Sequence, residues 1–140
     1  MKNRDGTRLA RVYQYQHSLQ KARVLVVDLH TDRVVRQQMI SSAHLPLNSA
    51  EIDFALKVVA NNSMMLEQLR NEQRRRGVPV FGDLDELDVK ASIFEPIVST
   101  HRCAKERCAL LSLFDASRTV FAAEPVVYFA TRRAELLSAQ

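Results

Sequence analysis

The sequence predicts an α+β fold in which a helix pair packs on one face of an antiparallel sheet. Short β-branched segments separated by polar turns fill the N-terminal third, and alternating segments return after residue 87. Between them, the apolar residues take helical spacing over two consecutive segments. With 140 residues and no repeat of fixed period, we expect one domain spanning residues 1–140, with residues 1–8 flexible.

The N-terminal strands are predicted from alternation and from β-branched content. Residues 9–16 place aromatic side chains on one face, and residues 22–29 are a β-branched segment bounded by polar residues. Residues 34–40 return after a turn in which Asp32 tolerates left-handed backbone. These segments predict a hairpin, or a three-stranded meander if the first strand joins it.

The helix pair is predicted from its caps and its apolar spacing. Asn48 followed three residues later by Glu51 is typical of a capping box. Asn61-Asn62-Ser63 interrupts the first helix, and Gly77 is expected to end the second in left-handed geometry. The residues predicted to face inward are Ile52, Ala55, Leu56 and Val59 in the first helix and Met65, Leu66 and Leu69 in the second.

The C-terminal half is predicted to add three strands to the sheet. They cover residues 87–94, residues 108–114 and, after a turn, residues 119–130. Pro125 marks a bulge or an edge position in the last of them, because it cannot donate to a ladder. Residues 131–140 are expected to form a C-terminal helix or tail.

The net charge of +4 is a mild excess whose densest part is a group of arginines. At the end of the second helix, Arg70, Arg74, Arg75 and Arg76 suit the negative end of the helix dipole. The alternative is an anion or partner contact, with the acidic residues 83–88 as a counterpart within or between molecules. No stacking platform accompanies these arginines, so the group does not favour a nucleic-acid partner.

No targeting or membrane-spanning segment is evident from the sequence. The longest apolar run, residues 126–130, has only the length of a strand. The basic start is not followed by the apolar region of a signal peptide. We therefore expect a periplasmic or secreted protein if a leader was removed, and a cytoplasmic one otherwise.

Cys103 and Cys108 leave two alternatives open. They are either a disulfide across four intervening residues, suited to an oxidising compartment, or two free thiols. His101 lies near them, but no orienting Asn or Asp makes Cys103 a catalytic nucleophile. We predict no metal site and no cofactor, because the histidines occupy separate loops, at His17, His30, His44 and His101. Of these, only His30 lies beside carboxylates, those of Asp28 and Asp32.

Four segments carry a resemblance to a known family. They are the strand-turn-strand at residues 22–35, the helix entry at residues 45–55, the helix ending in Arg-Gly at residues 62–77, and the strand at residues 124–129. Together they resemble the cystatin-like N-terminal accessory domains of copper amine oxidases. The similarity runs from about Arg11 to Leu137.

The resemblance implies an accessory fold without oxidase activity. Asp32 and Arg33 stand where that family usually has a turn glycine, and residues 83–88 replace its Asp-Pro-Trp. The family's chemistry belongs to a separate large domain with a topaquinone-forming tyrosine and three copper-binding histidines. None of the three tyrosines here, Tyr13, Tyr15 and Tyr128, has the neighbours of that motif.

We therefore expect a non-catalytic module that binds another protein or itself, in the latter case as a homodimer. The expected surfaces are the sheet face without helices, the edge near Pro125, and an exposed aromatic face drawn from Tyr13, Tyr15, Phe121 and Tyr128. One alternative is a small-ligand protein with a pocket between helices and sheet. A basic RNA- or DNA-binding domain is the less favoured third hypothesis.

Overall fold

A computed structural model of the protein describes residue 6 and residues 8–16, 21–40 and 45–137. The chain forms two compact units, residues 1–42 and residues 43–140, named here the N-terminal sheet unit and the C-terminal α+β unit. Two antiparallel sheets and two α-helices in the described residues confirm the α+β fold class. The single sheet that was expected is wrong, because the described N-terminal and C-terminal strands pair only among themselves. The polar connection predicted after residue 16 lies mostly outside the described residues.

The N-terminal sheet unit is a three-stranded meander, one of the two arrangements that the sequence left open. Asp32 has a φ of 55°, so the turn before the third strand uses the left-handed residue that was expected. Val35 is an extra residue in that strand, a β-bulge. The strands pair antiparallel in chain order and are β1 (Leu9–Gln16), β2 (Lys21–Asp28) and β3 (Arg33–Ile40).

The C-terminal α+β unit begins with the predicted helix pair, α1 (Ser49–Ala60) and α2 (Ser63–Arg76). The capping box is present: the Glu51 amide donates to the Asn48 side chain over 2.8 Å, and the Asn48 amide donates to Glu51 over 3.2 Å. Asn62 caps α2 by accepting from the Met65 amide. Gly77, with a φ of 68°, ends α2 as predicted.

A four-stranded antiparallel sheet completes this unit. Helix-facing side chains of β5 are Ala109, Leu111 and Leu113, and they form one buried cluster with residues of both helices. This arrangement confirms that the helix pair packs on one face of an antiparallel sheet. The strands pair in chain order and are β4 (Asp88–Ile93), β5 (Cys108–Phe114), β6 (Glu124–Tyr128) and β7 (Arg133–Leu137).

Two predictions for the C-terminal end are wrong. Residues 133–137 form strand β7 where a helix or a tail was expected, because a turn with Arg132 at a φ of 57° returns the chain along β6. Pairing with β6 outweighs the helical preference of Ala, Glu and Leu. Within residues 119–130, for which a strand was predicted, only β6 is a strand. Val120 forms an isolated β-bridge.

Candidate interaction surface

The N-terminal sheet has two faces of different chemistry, because residues paired across antiparallel strands project to the same side. On one side, which we call the basic face, the cross-strand rows are Leu9–Asp28–Arg33, Arg11–Val26–Arg36 and Tyr13–Val24–Gln38. On the other, which we call the apolar face, they are Ala10–Val27–Val34, Val12–Leu25–Gln37 and Gln14–Arg23–Met39.

Large apolar side chains of this unit remain exposed to solvent. Tyr13 is 53% exposed, and Val34 and Met39 on the apolar face are 54% and 57% exposed. A three-stranded sheet without a second layer of its own has little core with which to stabilise itself. Apolar patches of this kind mark contact surfaces.

The outer edge of β1 offers unpaired backbone groups. The Leu29 amide donates to the Arg8 carbonyl over 2.9 Å, so even-numbered residues of β1 hydrogen-bond to β2. Odd-numbered residues, including Arg11 and Tyr13, therefore direct their amides away from β2. Sheet order places no other described strand on that side of β1.

The aromatic surface expected from the sequence is wrong for two of its four residues. Phe121 and Tyr128 are 1% and 4% exposed and belong to the core of the C-terminal unit. Tyr13 is exposed, and Tyr15 is partly buried. Aromatic residues in strands are typical of both cores and surfaces, so the sequence alone did not separate the two groups.

Tyr128 also carries a perturbed phenol. Its hydroxyl donates to Glu135 Oε2 over 2.8 Å, and the Arg102 guanidinium lies 5.1 Å from the centre of its ring. Burial is the main cause that raises the pKa of Tyr128 to about 12, and the Glu135 carboxylate adds to the shift. This hydroxyl stays protonated at neutral pH and joins β6 to β7.

The sheet face without helices is not open, which corrects a second expected surface. Cys103 and Cys108 form a disulfide with Cα atoms 5.7 Å apart, and both are fully buried with Val126 and Tyr128. The segment before β5 lies over this face, with Phe94 edge-on to His101. Because Cys103 is bonded to Cys108, it is not a free nucleophile.

The edge expected near Pro125 is also wrong. β6 lies between β5 and β7, so it is an inner strand of the sheet. Its ladder with β5 ends at Val126, one residue after Pro125 in the chain, so proline takes no place in that ladder. Glu124 instead accepts a hydrogen bond from Ser112 of β5 over 2.7 Å.

The arginine group at the end of α2 is mostly paired within its own unit. Arg70 donates to the Phe81 and Gly82 carbonyls, and its guanidinium lies 5.0 Å from the Phe81 ring centre. Arg74 pairs with Glu67 at 2.6 Å, which lowers the pKa of Glu67, and Arg76 pairs with Glu72 at 3.3 Å. Arg75 has no ion-pair partner among the described residues.

Two buried carboxylates make tertiary contacts that the sequence did not predict. Glu51, expected only as a cap residue, forms a two-pronged ion pair with Arg107 at 2.7 and 2.8 Å. Arg107 also donates to the Leu45 and Pro46 carbonyls. Glu72 of α2 accepts from the backbone amides of residues 122 and 123, each over 2.9 Å.

Asp115 holds the turn after β5. Its carboxylate accepts from the Ser117 hydroxyl over 2.7 Å and from the Ser117 and Thr119 amides over 3.0 and 2.9 Å. These hydrogen bonds, with that of the Ser117 hydroxyl the largest cause, lower the pKa of Asp115. The turn confirms the predicted connection at residues 115–118.

A cleft of about 460 Å³ lies between the helix pair and the start of β4. Its lining is mostly apolar and includes two cations and three carboxylates of the acidic segment. The acidic segment thus borders a cleft, while Arg74 and Arg76 pair with α2 glutamates instead. The residues at the cleft include Leu56, Lys57, Ala60, Leu66, Arg70, Asp83, Leu84, Asp85, Leu87, Asp88 and Val89.

No group of three or more His, Cys, Asp or Glu suited to a metal ion occurs in the part of the chain that the structure describes. The His30 amide donates to the Asp28 carboxylate over 2.8 Å, a local turn contact, and His101 accepts from the Cys103 amide. His17 and His44 lie outside the described residues. No helix of the described chain has the length and apolarity to cross a membrane.

No family model matches the chain, and no curated protein matches it.

Proposed function

We propose that the protein is a non-catalytic interaction module that pairs with a second copy of itself through strand β1. The observation that carries this proposal is the outer edge of β1, which is eight residues long and regularly paired with β2 along its whole length. Residues 11–14 in its middle are all exposed. An exposed, regular edge of this length is a template for adding another strand.

The other three edges carry features that oppose pairing. β3 has the bulge at Val35 and exposed arginines at both Arg33 and Arg36. β4 and β7 are shorter and bear exposed charged residues, such as Lys90 and Glu135. Bulges, charges and short length are the usual protections of an edge, and β1 has only the charge of Arg11.

The sequence of β1 is compatible with symmetric antiparallel pairing. A two-fold axis perpendicular to the sheet keeps equivalent faces together, so odd residues lie opposite odd residues. Centred on Val12, the pair places Arg11 opposite Tyr13 of the second copy, and centred on Tyr13 it places Arg11 opposite Tyr15. In neither register do two arginines face each other, and in both the outward amides find acceptors.

The test compares Tyr13→Pro with Tyr13→Ala. Proline removes an amide that points away from β2, whereas alanine removes the same side chain and keeps that amide. We expect sedimentation to show a concentration-dependent dimer for the wild type and Tyr13→Ala, and a monomer for Tyr13→Pro. NMR amide signals of β2 and β3 report whether the meander persists, and Arg11→Pro repeats the test at a second outward amide. A wild type that stays monomeric at all concentrations overturns the proposal.

The cleft beside β4 supports a second candidate function, binding of a small ligand with an apolar body. Its volume of about 460 Å³ lies within the range of ligand sites. We expect an environment-sensitive apolar dye to bind the wild type, and Ala60→Phe at the mouth to abolish that binding. Met64→Phe, on an exposed position outside the cleft, is the control. Equal dye binding by wild type and Ala60→Phe would exclude this function.

The disulfide supports an oxidising compartment, so we propose a periplasmic or secreted protein. The resemblance to an amine oxidase accessory domain remains a hypothesis, and it is compatible with a module that binds rather than catalyses.

A further inference from the structure

The positive charge of the protein is concentrated in one of its two units. Residues 1–42 contain eight Lys or Arg and three Asp or Glu, for a net charge of +5. Residues 43–140 contain twelve Lys or Arg and thirteen Asp or Glu, for a net charge of −1. The overall +4 is therefore carried by the N-terminal sheet unit, and its sign predicts an anionic partner there.

The basic face arranges part of this charge beside an aromatic ring. Arg11 and Arg36 lie in one cross-strand row, on either side of Val26 and about 10 Å apart at two strand spacings. Both are exposed, and neither forms an ion pair with a described residue. Tyr13 occupies the next row of the same face and is 53% exposed.

We propose that the basic face binds single-stranded nucleic acid. Guanidinium groups bind phosphate oxygens in a bidentate geometry, and an exposed tyrosine ring on a flat sheet is a surface on which a base stacks. An anionic membrane suits this face less well, because the exposed apolar residues Val34 and Met39 project from the opposite face. An acidic polypeptide also suits this face less well, because it has no bases to stack on the ring of Tyr13.

The proposal does not depend on dimer formation. Arg36 is on β3, at the edge opposite to β1, and one copy presents the complete row. A dimer through β1 would place two basic faces on the same side of a continuous sheet, which raises avidity. Monomeric protein that binds nucleic acid would thus overturn self-association alone.

The experiment measures fluorescence anisotropy of a labelled oligothymidylate of about 12 nucleotides with the full chain at several salt concentrations. For Arg11→Gln and Arg36→Gln we expect weaker binding and a slope of log affinity against log salt that is smaller by about 0.7 for each arginine. Tyr13→Ala should weaken binding by at least about five-fold, and Tyr13→Phe should retain it.

Arg75→Gln is the matched control, since it removes one exposed, unpaired arginine from α2. An equal loss of affinity in Arg75→Gln and Arg36→Gln would overturn the proposal in favour of attraction by net charge. So would absence of oligothymidylate binding, or affinity for polyglutamate or for phosphatidylglycerol vesicles that equals or exceeds affinity for the oligonucleotide.

Discussion

At the scale of single residues, Arg107 joins three separate parts of the C-terminal unit. Its guanidinium bonds the Glu51 carboxylate at the start of α1 and two carbonyls of the segment before it. The side chains of both ion-pair partners are at most 4% exposed. Inside a protein, such a pair contributes little net stability, but removing one partner leaves a buried charge uncompensated.

We therefore predict that Arg107→Met lowers the free energy of unfolding by about 3–5 kcal/mol. Arg74→Met is the control, because its ion pair with Glu67 is about half exposed and screened by solvent, so its loss should change the free energy of unfolding much less. Urea unfolding followed by circular dichroism measures both. Similar losses for the two variants would contradict a special role for the buried pair.

Tyr128 gives a prediction in the alkaline range. Its pKa is raised to about 12, so the neutral phenol stabilises the fold fully below the unfolded value of 10.0, and this contribution is lost as the pH rises through about 12. We expect the ultraviolet titration of the native protein to contain a late tyrosine step that is absent in Tyr128→Phe. If Tyr128→Phe leaves the late step in place, the ionising group has been assigned wrongly.

At the scale of elements, the disulfide joins the short turn that covers the sheet to the first residue of β5. A bridge that closes a loop of six residues removes chain entropy from the unfolded state worth about 2 kcal/mol. The bridged turn takes the place of the open sheet face that the sequence predicted.

We predict that the Cys103→Ala, Cys108→Ala double variant loses about 2 kcal/mol of unfolding free energy. The wild type with a reductant should lose a similar amount, and the reductant should not affect the double variant. Guanidinium unfolding measures these differences. A wild type indifferent to reductant, with free thiols on labelling, would show that the bridge does not form.

At the scale of the whole molecule, every residue of the two buried clusters belongs to the C-terminal α+β unit. None of the described residues of the N-terminal sheet belongs to either of them. The stability of each unit as a separate fragment therefore tests the prediction of one domain spanning residues 1–140.

We expect a fragment of residues 43–140 to fold by itself with a cooperative unfolding transition, because both clusters and the disulfide lie within it. Residues 1–42 should be largely unfolded at low concentration, since a unit of about 40 residues buries too little apolar surface to be stable without oligomerisation. Calorimetry of the fragments measures both. A disordered fragment 43–140 would favour the single cooperative domain.

Local signals in the sequence determined the helices, their caps and most strands. Asn48, Asn62 and Gly77 act through hydrogen bonds and backbone geometry within a few residues. Their capping roles can therefore be predicted without knowledge of the tertiary structure. The alternation of β1 and the β-branched content of β2 similarly predicted two strands, but they left open whether β1 joins the hairpin of β2 and β3. The spacing of Cys103 and Cys108 left two possibilities, a disulfide or two free thiols, and the disulfide is the one present.

Which surfaces are exposed to solvent depends on the tertiary structure. Residues 133–137 are a strand because β6 supplies hydrogen-bond partners, and Phe121 and Tyr128 are buried because other elements cover them. The pairing of Glu51 with Arg107 spans 56 positions, a distance at which sequence periodicity carries no information. The alignment of Arg11 with Arg36 depends on the register of three strands and on the bulge at Val35. The helices, caps and most strands follow from the sequence, because they depend on interactions within a few residues. Burial, strand pairing and the grouping of charges depend instead on which distant segments the fold brings together.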